Sequence, residues 1–249
     1  MAYGLTQSVD IEGSTPDYLS RADGAELSPT GSFTLEGWVK FESLPSSGNT
    51  ATFVAKRDGG ANQRSYWFYV TNVAGSYFLA LQTSDDGSSA FDTVSLTSIS
   101  ITTGVWYHVA VTYTSGTGAI AWYLDGAAAG TGTSLDTSIF DGTAAFLLGN
   151  RFEGGSGADP FDGRMSLWRV WKGEVRSEAN IAANMCNVLG ATTNLSAEWT
   201  LDNTYNDNSG NSLTLTANGS PSFGSDVPSV CGSVAVAAPH SNLPLLGVG

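Results

Sequence analysis

The 249-residue chain is poor in charge. Asp, Glu, Lys and Arg make up only 13% of it, about half the share of an average globular domain. Positive charge is the scarcer sign: 10 Lys and Arg stand against 23 Asp and Glu, a formal net charge of −13. Proteins that grip phosphate backbones use basic side chains to release counterions, so nucleic acid is not an expected partner. Histidine occurs at His108 and His240 only, too little raw material for a zinc site or a Ser-His-Asp triad. Cysteine occurs at Cys186 and Cys231 only, outside any C-x-x-C knuckle, and one optional disulfide is the most they imply. No run approaches the roughly 18 consecutive apolar residues of a membrane helix. Residues 1–10 have neither the basic nor the apolar region of a secretory leader, so none is expected.

What the chain has instead is 30 Gly and abundant Ser and Thr, a composition of strands and many turns. Its length suffices for a large all-β core without disulfide support. Short runs rich in aromatic and β-branched residues, separated by Gly, Ser, Asn and Asp clusters, fall at 33–41, 52–56, 66–70, 77–83, 93–97, 105–113, 119–124 and 144–149. Their spacing is that of an antiparallel β-sandwich. In the first run Phe33, Leu35, Val39 and Phe41 share one face and Thr34, Glu36, Trp38 and Lys40 the other. Around His108 both faces carry bulk, which predicts a strand inside a sheet. Leu124-Asp-Gly126 supplies a tight turn, and the small residues from Ala127 begin a returning strand. One helix is predicted over 177–185, with Ser177 as N-cap, Glu178 in the first turn and Ile181 and Met185 on one face, covering an edge of the sandwich. Closing strands are expected at 195–201 and 212–217. From Val227 the pattern breaks into Pro, Gly and small apolar residues. Residues 1–226 are therefore read as the sandwich and 227–249 as an irregular extension that docks or oligomerises.

Gly104-Val-Trp-Tyr-His-Val-Ala-Val-Thr-Tyr113 and Trp122-Tyr-Leu-Asp-Gly126 resemble the laminin-G-like branch of the concanavalin A-like jelly rolls. Phe33-Thr-Leu-Glu-Gly-Trp-Val-Lys40, Leu147-Leu-Gly-Asn150 and Phe161-Asp-Gly-Arg-Met-Ser-Leu-Trp-Arg-Val-Trp171 agree in order, and the likeness extends over about residues 8–225. The resemblance implies an all-β jelly roll, pairing of the first and last strands, and a packing role for His108. It decides function less well, since this sandwich serves lectins, adhesion modules and glycan hydrolases alike. Hydrolases of the superfamily related to laminarinase carry an E-x-D-x-(x)-E strand, because a retaining mechanism needs two carboxylates about 5–5.5 Å apart. None of Glu12, Glu26, Glu36, Glu42, Glu153, Glu174, Glu178 and Glu198 stands in that pattern.

Calcium is the one cofactor with a case, because hard cations want clustered oxygen ligands. Asp202, Asp207 and Asn208 lie in one loop region, and Asp17 would approach them if first and last strands pair. For a glycan, the loops at 56–64, 84–89 and 150–159 bring Arg57, Asp58, Arg64, Asn150, Arg151 and Asp159 near aromatics. Trp67, Tyr69 or Phe152 would supply the flat face that sugars stack on. The expectation is a non-catalytic binding or adhesion module that recognises a cell-surface glycan or protein. An acidic adhesin without a leader fits a bacteriophage virion surface protein, as a head decoration, fibre or tail adhesin contacting its own copies or a capsid or tail neighbour. A purely structural assembly protein and an atypical glycan hydrolase are the alternatives.

Overall fold

The computed structural model describes residues 4–15, 17–88 and 98–231 and the backbone of 92–95. Two sheets face each other. The first runs β10 (Ala127–Thr133), β9 (Ala119–Leu124), β8 (Trp106–Thr114), β3 (Phe33–Phe41), β14 (Gly163–Lys172), β1 (Ser8–Ile11) and β17 (Ser222–Gly224), with β15 (Leu195–Trp199) also pairing with β14. The second runs β16 (Thr216–Asn218), β2 (Tyr18–Arg21), β11 (Phe146–Leu148), β4 (Thr50–Asp58), β5 (Gln63–Val73), β6 (Ser76–Thr83) and β7 (Asp92–Ser95). The ladders are antiparallel. The exception is a small hairpin, β12 (Arg151–Glu153) and β13 (Ser156–Ala158), which joins β4 by a parallel bridge between Phe152 and Asp58.

The period-2 pattern explains the core. Phe33, Leu35, Val39 and Phe41 point inward to Phe53, Phe68, Val70 and Leu81 of the other sheet, each such fully buried side chain contributing roughly 1.5–3 kcal/mol. Phe33 stacks on its cross-strand partner Tyr113, with centroids 5.3 Å apart. A bulge in β14 between Ser166 and Arg169 places Leu167 at φ 46°. Leu167 joins the outer cluster with Trp38, while Trp168 belongs to the inner core. Trp168 lies across Gly37, where an added Cβ would stand 2.3 Å from the indole, so only glycine fits there.

The first sheet is buried on its outer face too. Helix α1 (Glu178–Asn184) has Ser177 as its N-cap and seats Ile181 on Ala110 and Tyr123. It lies over a face beside the edge strand rather than over an edge alone. Trp38 donates from Nε1 to the Met185 carbonyl at 2.7 Å. Cys186 and Cys231 are joined by a disulfide, and both lie in the cluster of Trp38, Leu167 and Val227. The start of the predicted extension is thus held against the sandwich; residues 232–249 lie outside the described residues, as do Leu96 and Thr97 of the predicted run at 93–97.

One other expectation is corrected. The strand predicted at 212–217 is a strand only over Thr216–Asn218. Before it, the Leu213 amide donates to Asp207 Oδ2 and the Leu215 amide to the Tyr205 carbonyl, so side-chain pinning replaces a ladder while both leucines are buried. Three short strands, β12, β13 and β17, carry too few alternating residues for the pattern to announce them. Among the described residues no helix is long and apolar enough to cross a membrane.

Candidate functional site

The second sheet presents the candidate site on its outer face. Tyr66, Phe68 and Val70 of β5 turn into the core, so Trp67 and Tyr69 turn out. The two rings stack with centroids 4.0 Å apart, on a floor that includes Ala55 and Ala80 from the neighbouring strands. Trp67 donates from Nε1 to Thr52 Oγ1 at 3.0 Å and stands opposite Gln82 in the register.

Arginines cover the indole of this pair. Arg57 and Arg64 are cross-strand partners on β4 and β5, and Arg151 reaches over from the hairpin. The guanidinium carbons of Arg57 and Arg151 lie 4.8 and 4.7 Å from the Trp67 centroid, within cation–π range. Arg57 also donates to Gln82 Oε1 at 3.2 Å. Trp67 beneath them is only 5% exposed, and Tyr69, stacked on it, 4%. This corrects the expectation that Trp67 offers an open platform for stacking: guanidinium groups lie over the indole, and the ring orients them.

One carboxylate ties the arginines together. Glu153 Oε2 accepts from Arg57 Nη2 at 3.0 Å and from Arg151 Nη1 at 2.6 Å, and Glu153 Oε1 lies 3.9 Å from Arg64 Nη2. Arg151 Nε is further bound to Asp159 Oδ2. Three guanidinium groups thus share the carboxylates of Glu153 and Asp159, a cluster of positive groups on a chain with net charge −13. Burial, and after it repulsion by Arg151, lowers Arg57 to about 10, while Glu153 and Asp159 oppose that shift.

The remaining predicted residues build the frame. Asn150 is fully buried, and its Oδ1 accepts from the Arg151 and Ala158 amides at 2.8 and 2.9 Å, which closes the hairpin. Asp58 Oδ2 accepts from the Gly155 amide at 2.9 Å. Phe152 is half-buried on the flank, edge-on to Tyr18 at 5.7 Å. The structure thus brings Arg57, Arg64, Trp67, Arg151 and Asp159 to one place, framed by Asn150 and Asp58. Sequence reasoning missed Glu153 as a member. The signal was present, since Arg-Phe-Glu followed by Gly154-Gly155 is a hairpin pattern that puts Arg151 and Glu153 on one face.

The residues proposed to hold calcium do not form such a cluster. Asp207 uses both oxygens, Oδ1 for the Glu198 and Ser209 amides and Oδ2 for the Ser209 hydroxyl and Leu213 amide. Asp17 Oδ1 accepts from the Ser220 amide, and Asp202 Oδ1 from Thr6 and Gln7. Asp202 and Asn208 line one open depression of about 390 Å³ together with Thr200 and Thr204. Asp207 thus has both oxygens engaged, and Asp17 and Asp202 one each, by donors that an isolated sequence cannot place. Among the described residues the carboxylates grouped closely enough for a metal are Asp10, Glu12 and Glu42, and Arg164 already contacts two of them, at 2.6 Å to Asp10 and 3.6 Å to Glu42.

Two facing antiparallel sheets with a roofed outer face define a lectin-type jelly roll. Residues 13–182 match the family model Laminin_G_3, described as the concanavalin A-like lectin/glucanases superfamily, and the chain belongs to this family. A segment of 77 residues is 35% identical to the rat (Rattus norvegicus) sushi, von Willebrand factor type A, EGF and pentraxin domain-containing protein 1; it spans 29% of this chain and 2% of that protein. Among solved structures, a candidate carbohydrate-binding protein of Bacteroides ovatus superposes with a TM-score of 0.69 at 19% identity, over 89% of this chain and 60% of that one. The heptameric SAP-like pentraxin of Limulus polyphemus gives 0.63 at 17% identity, over 90% and 96%. Tailspike protein 2 of an Escherichia coli O157:H7 bacteriophage gives 0.52 at 19% identity, over 78% of this chain and 26% of that one. At these identities the structural likeness concerns the fold.

Proposed function

We propose that the chain is a non-catalytic glycan-binding module whose site is the outer face of the second sheet beneath the β12–β13 hairpin. The observation that carries this reading is the convergence of Arg57, Arg64 and Arg151 on Glu153, with Arg57 and Arg151 stacked over the Trp67 ring. Planar, fork-shaped donors held rigid by an aromatic floor suit hydroxyl and carboxyl oxygens. The lectin-type fold and the carbohydrate-binding neighbour support it, and the missing E-x-D-x-(x)-E strand supports the non-catalytic part. A glycan array with the full chain tests it. Retention of at least one glycan class that is lost in Arg151→Ala at unchanged Tm is the expected result; an array blank for the folded wild type overturns it.

The module is further proposed to work on the surface of a bacteriophage virion, as an oligomer or against a particle neighbour. The tailspike neighbour supports this, as does the stretch from Val227 to Gly249, which contains no Asp, Glu, Lys or Arg. The same stretch favours a second reading, a structural subunit whose uncharged arm docks to a lattice. Native mass with and without residues 232–249, combined with the array, separates the two. A tail-dependent oligomer that binds glycan is an anchored module, and a tail-dependent oligomer that binds none is a structural subunit.

A further inference from the structure

The three arginines and Glu153 are unequal partners. The side chains of Arg57, Arg64 and Arg151 are 7, 11 and 15% exposed, whereas that of Glu153 is 44% exposed. The cations are thus built into the sheet, the Trp67 ring and the Gln82 amide. Their carboxylate partner sits at the rim, on a hairpin of two three-residue strands joined through Gly154-Gly155. Its carboxyl group also fills the space over Gly59, where an added Cβ would lie 2.2 Å from both Glu153 oxygens. An exposed carboxylate loses little on returning to water, while buried guanidinium groups need an anion to remain in place.

We propose that Arg57, Arg64 and Arg151 form a carboxylate-binding site for acidic glycans, and that Glu153 is an internal stand-in which the sugar carboxylate displaces. This rests on the glycan-binding reading above and names its ligand class: sugars carrying a uronic- or sialic-type carboxyl group. A glycan carboxylate presents the same two oxygens as Glu153 and takes the same charge-assisted bonds. A neutral glycan has no group to replace Glu153 with, so the trio would stay closed to it.

Calorimetric titration of the full chain tests the inference with two matched pairs, tetragalacturonate against its methyl ester and 3′-sialyllactose against lactose. The pair that responds identifies the source of the carboxylate. In at least one pair the acid is expected to bind about tenfold or more tightly than its neutral counterpart. Glu153→Gln removes the competing charge, and Gly59→Ala evicts the Glu153 side chain with the charges unchanged; each is expected to tighten the acid by about tenfold. Arg151→Gln is expected to abolish the preference. Equal binding of acid and neutral members overturns the inference and leaves glycan binding standing. Tighter binding of the neutral member, or weaker binding of the acid by folded Glu153→Gln, also overturns it. Failure of the folded wild type to bind any glycan on an array overturns both readings. Should Glu153→Gln or Gly59→Ala fail to fold, the acid–ester comparison and Arg151→Gln still decide.

Discussion

His108 Nε2 lies 3.6 Å from Glu36 Oε2 beneath helix α1, both side chains are completely buried, and neither of these two atoms has a hydrogen-bond partner. Around them Arg169 donates to Glu198 Oε1 at 3.0 Å and to Glu36 Oε1 at 3.4 Å, and Trp171 donates to Glu36 Oε1 at 2.8 Å. Glu198 is also held by the Leu189 and Gly190 amides. The histidine thus belongs to the frame that fastens the helix segment to the first sheet, remote in role from the arginine site.

Burial lowers His108 to about 4, against a smaller raising effect of Glu36. Between pH 4 and 6.5 the unfolded chain therefore binds a proton that the folded chain refuses. The associated stability is complete above pH 6.5 and is lost as pH falls toward 4, by about 3 kcal/mol for a shift of this size. Asp10 and Glu42, whose carboxyl groups burial raises, oppose this loss, and Asp226 and Asp23 act below the window because their values are lowered. Urea unfolding from pH 7 to 4 should show the decline in wild type and a flatter profile in His108→Gln; parallel profiles would refute the assignment.

Gly37→Ala is expected to destabilise the protein by about 3 kcal/mol, the range of overpacking in a closed core. The obstacle is the Trp168 indole 2.3 Å from the new Cβ, a buried ring of the inner core. The denaturant midpoint measures the loss, and a midpoint unchanged from wild type contradicts this packing.

The Cys186–Cys231 bond closes a loop with sequence separation 45. Chain entropy assigns such a cross-link about 4 kcal/mol. Reduction, or the double substitution to serine, should lower Tm and increase the solvent quenching of Trp38, which shares their cluster. Glycan binding at the other sheet should persist at temperatures where the variant is folded, because the bond and the arginines lie on different faces.

Asp207→Ala removes acceptors from four donors and is expected to cost about 2–3 kcal/mol. Asp207→Asn keeps one acceptor and should recover part of that loss. Equal Tm for Asp207→Ala and wild type would show that the loop does not depend on this residue.

Much of the sandwich was legible because strand burial leaves a period of two. The alternation of Phe33, Leu35, Val39 and Phe41 pointed at a core, and Ser177 with Ile181 marked the helix. The site was less legible for the same reason. In Tyr66-Trp-Phe-Tyr-Val70 every position is apolar or aromatic, so alternation assigns no face, and Trp67 read as an accessible ring when it is the floor beneath two guanidinium groups. Arg57, Arg64 and Arg151 appeared as members of separate loops, and Asp17, Asp202 and Asp207 appeared as a common oxygen cluster. In each case the deciding partner, a ring, a backbone amide or Glu153, came from pairings that leave no local pattern.

By itself the sequence determined the all-β architecture, the helix with its N-cap, the family, and an acidic chain short of the residues that nucleic-acid, zinc and triad chemistry require. Local periodicity and composition suffice for these because they are set residue by residue. Only the tertiary structure decided that Arg57 faces Arg64 across two strands, that a hairpin some ninety positions later lays Arg151 over the same indole, and that Glu153 lies within 4 Å of all three guanidinium groups. Charge compensation acts through distance in space, and strand register, not sequence order, sets that distance.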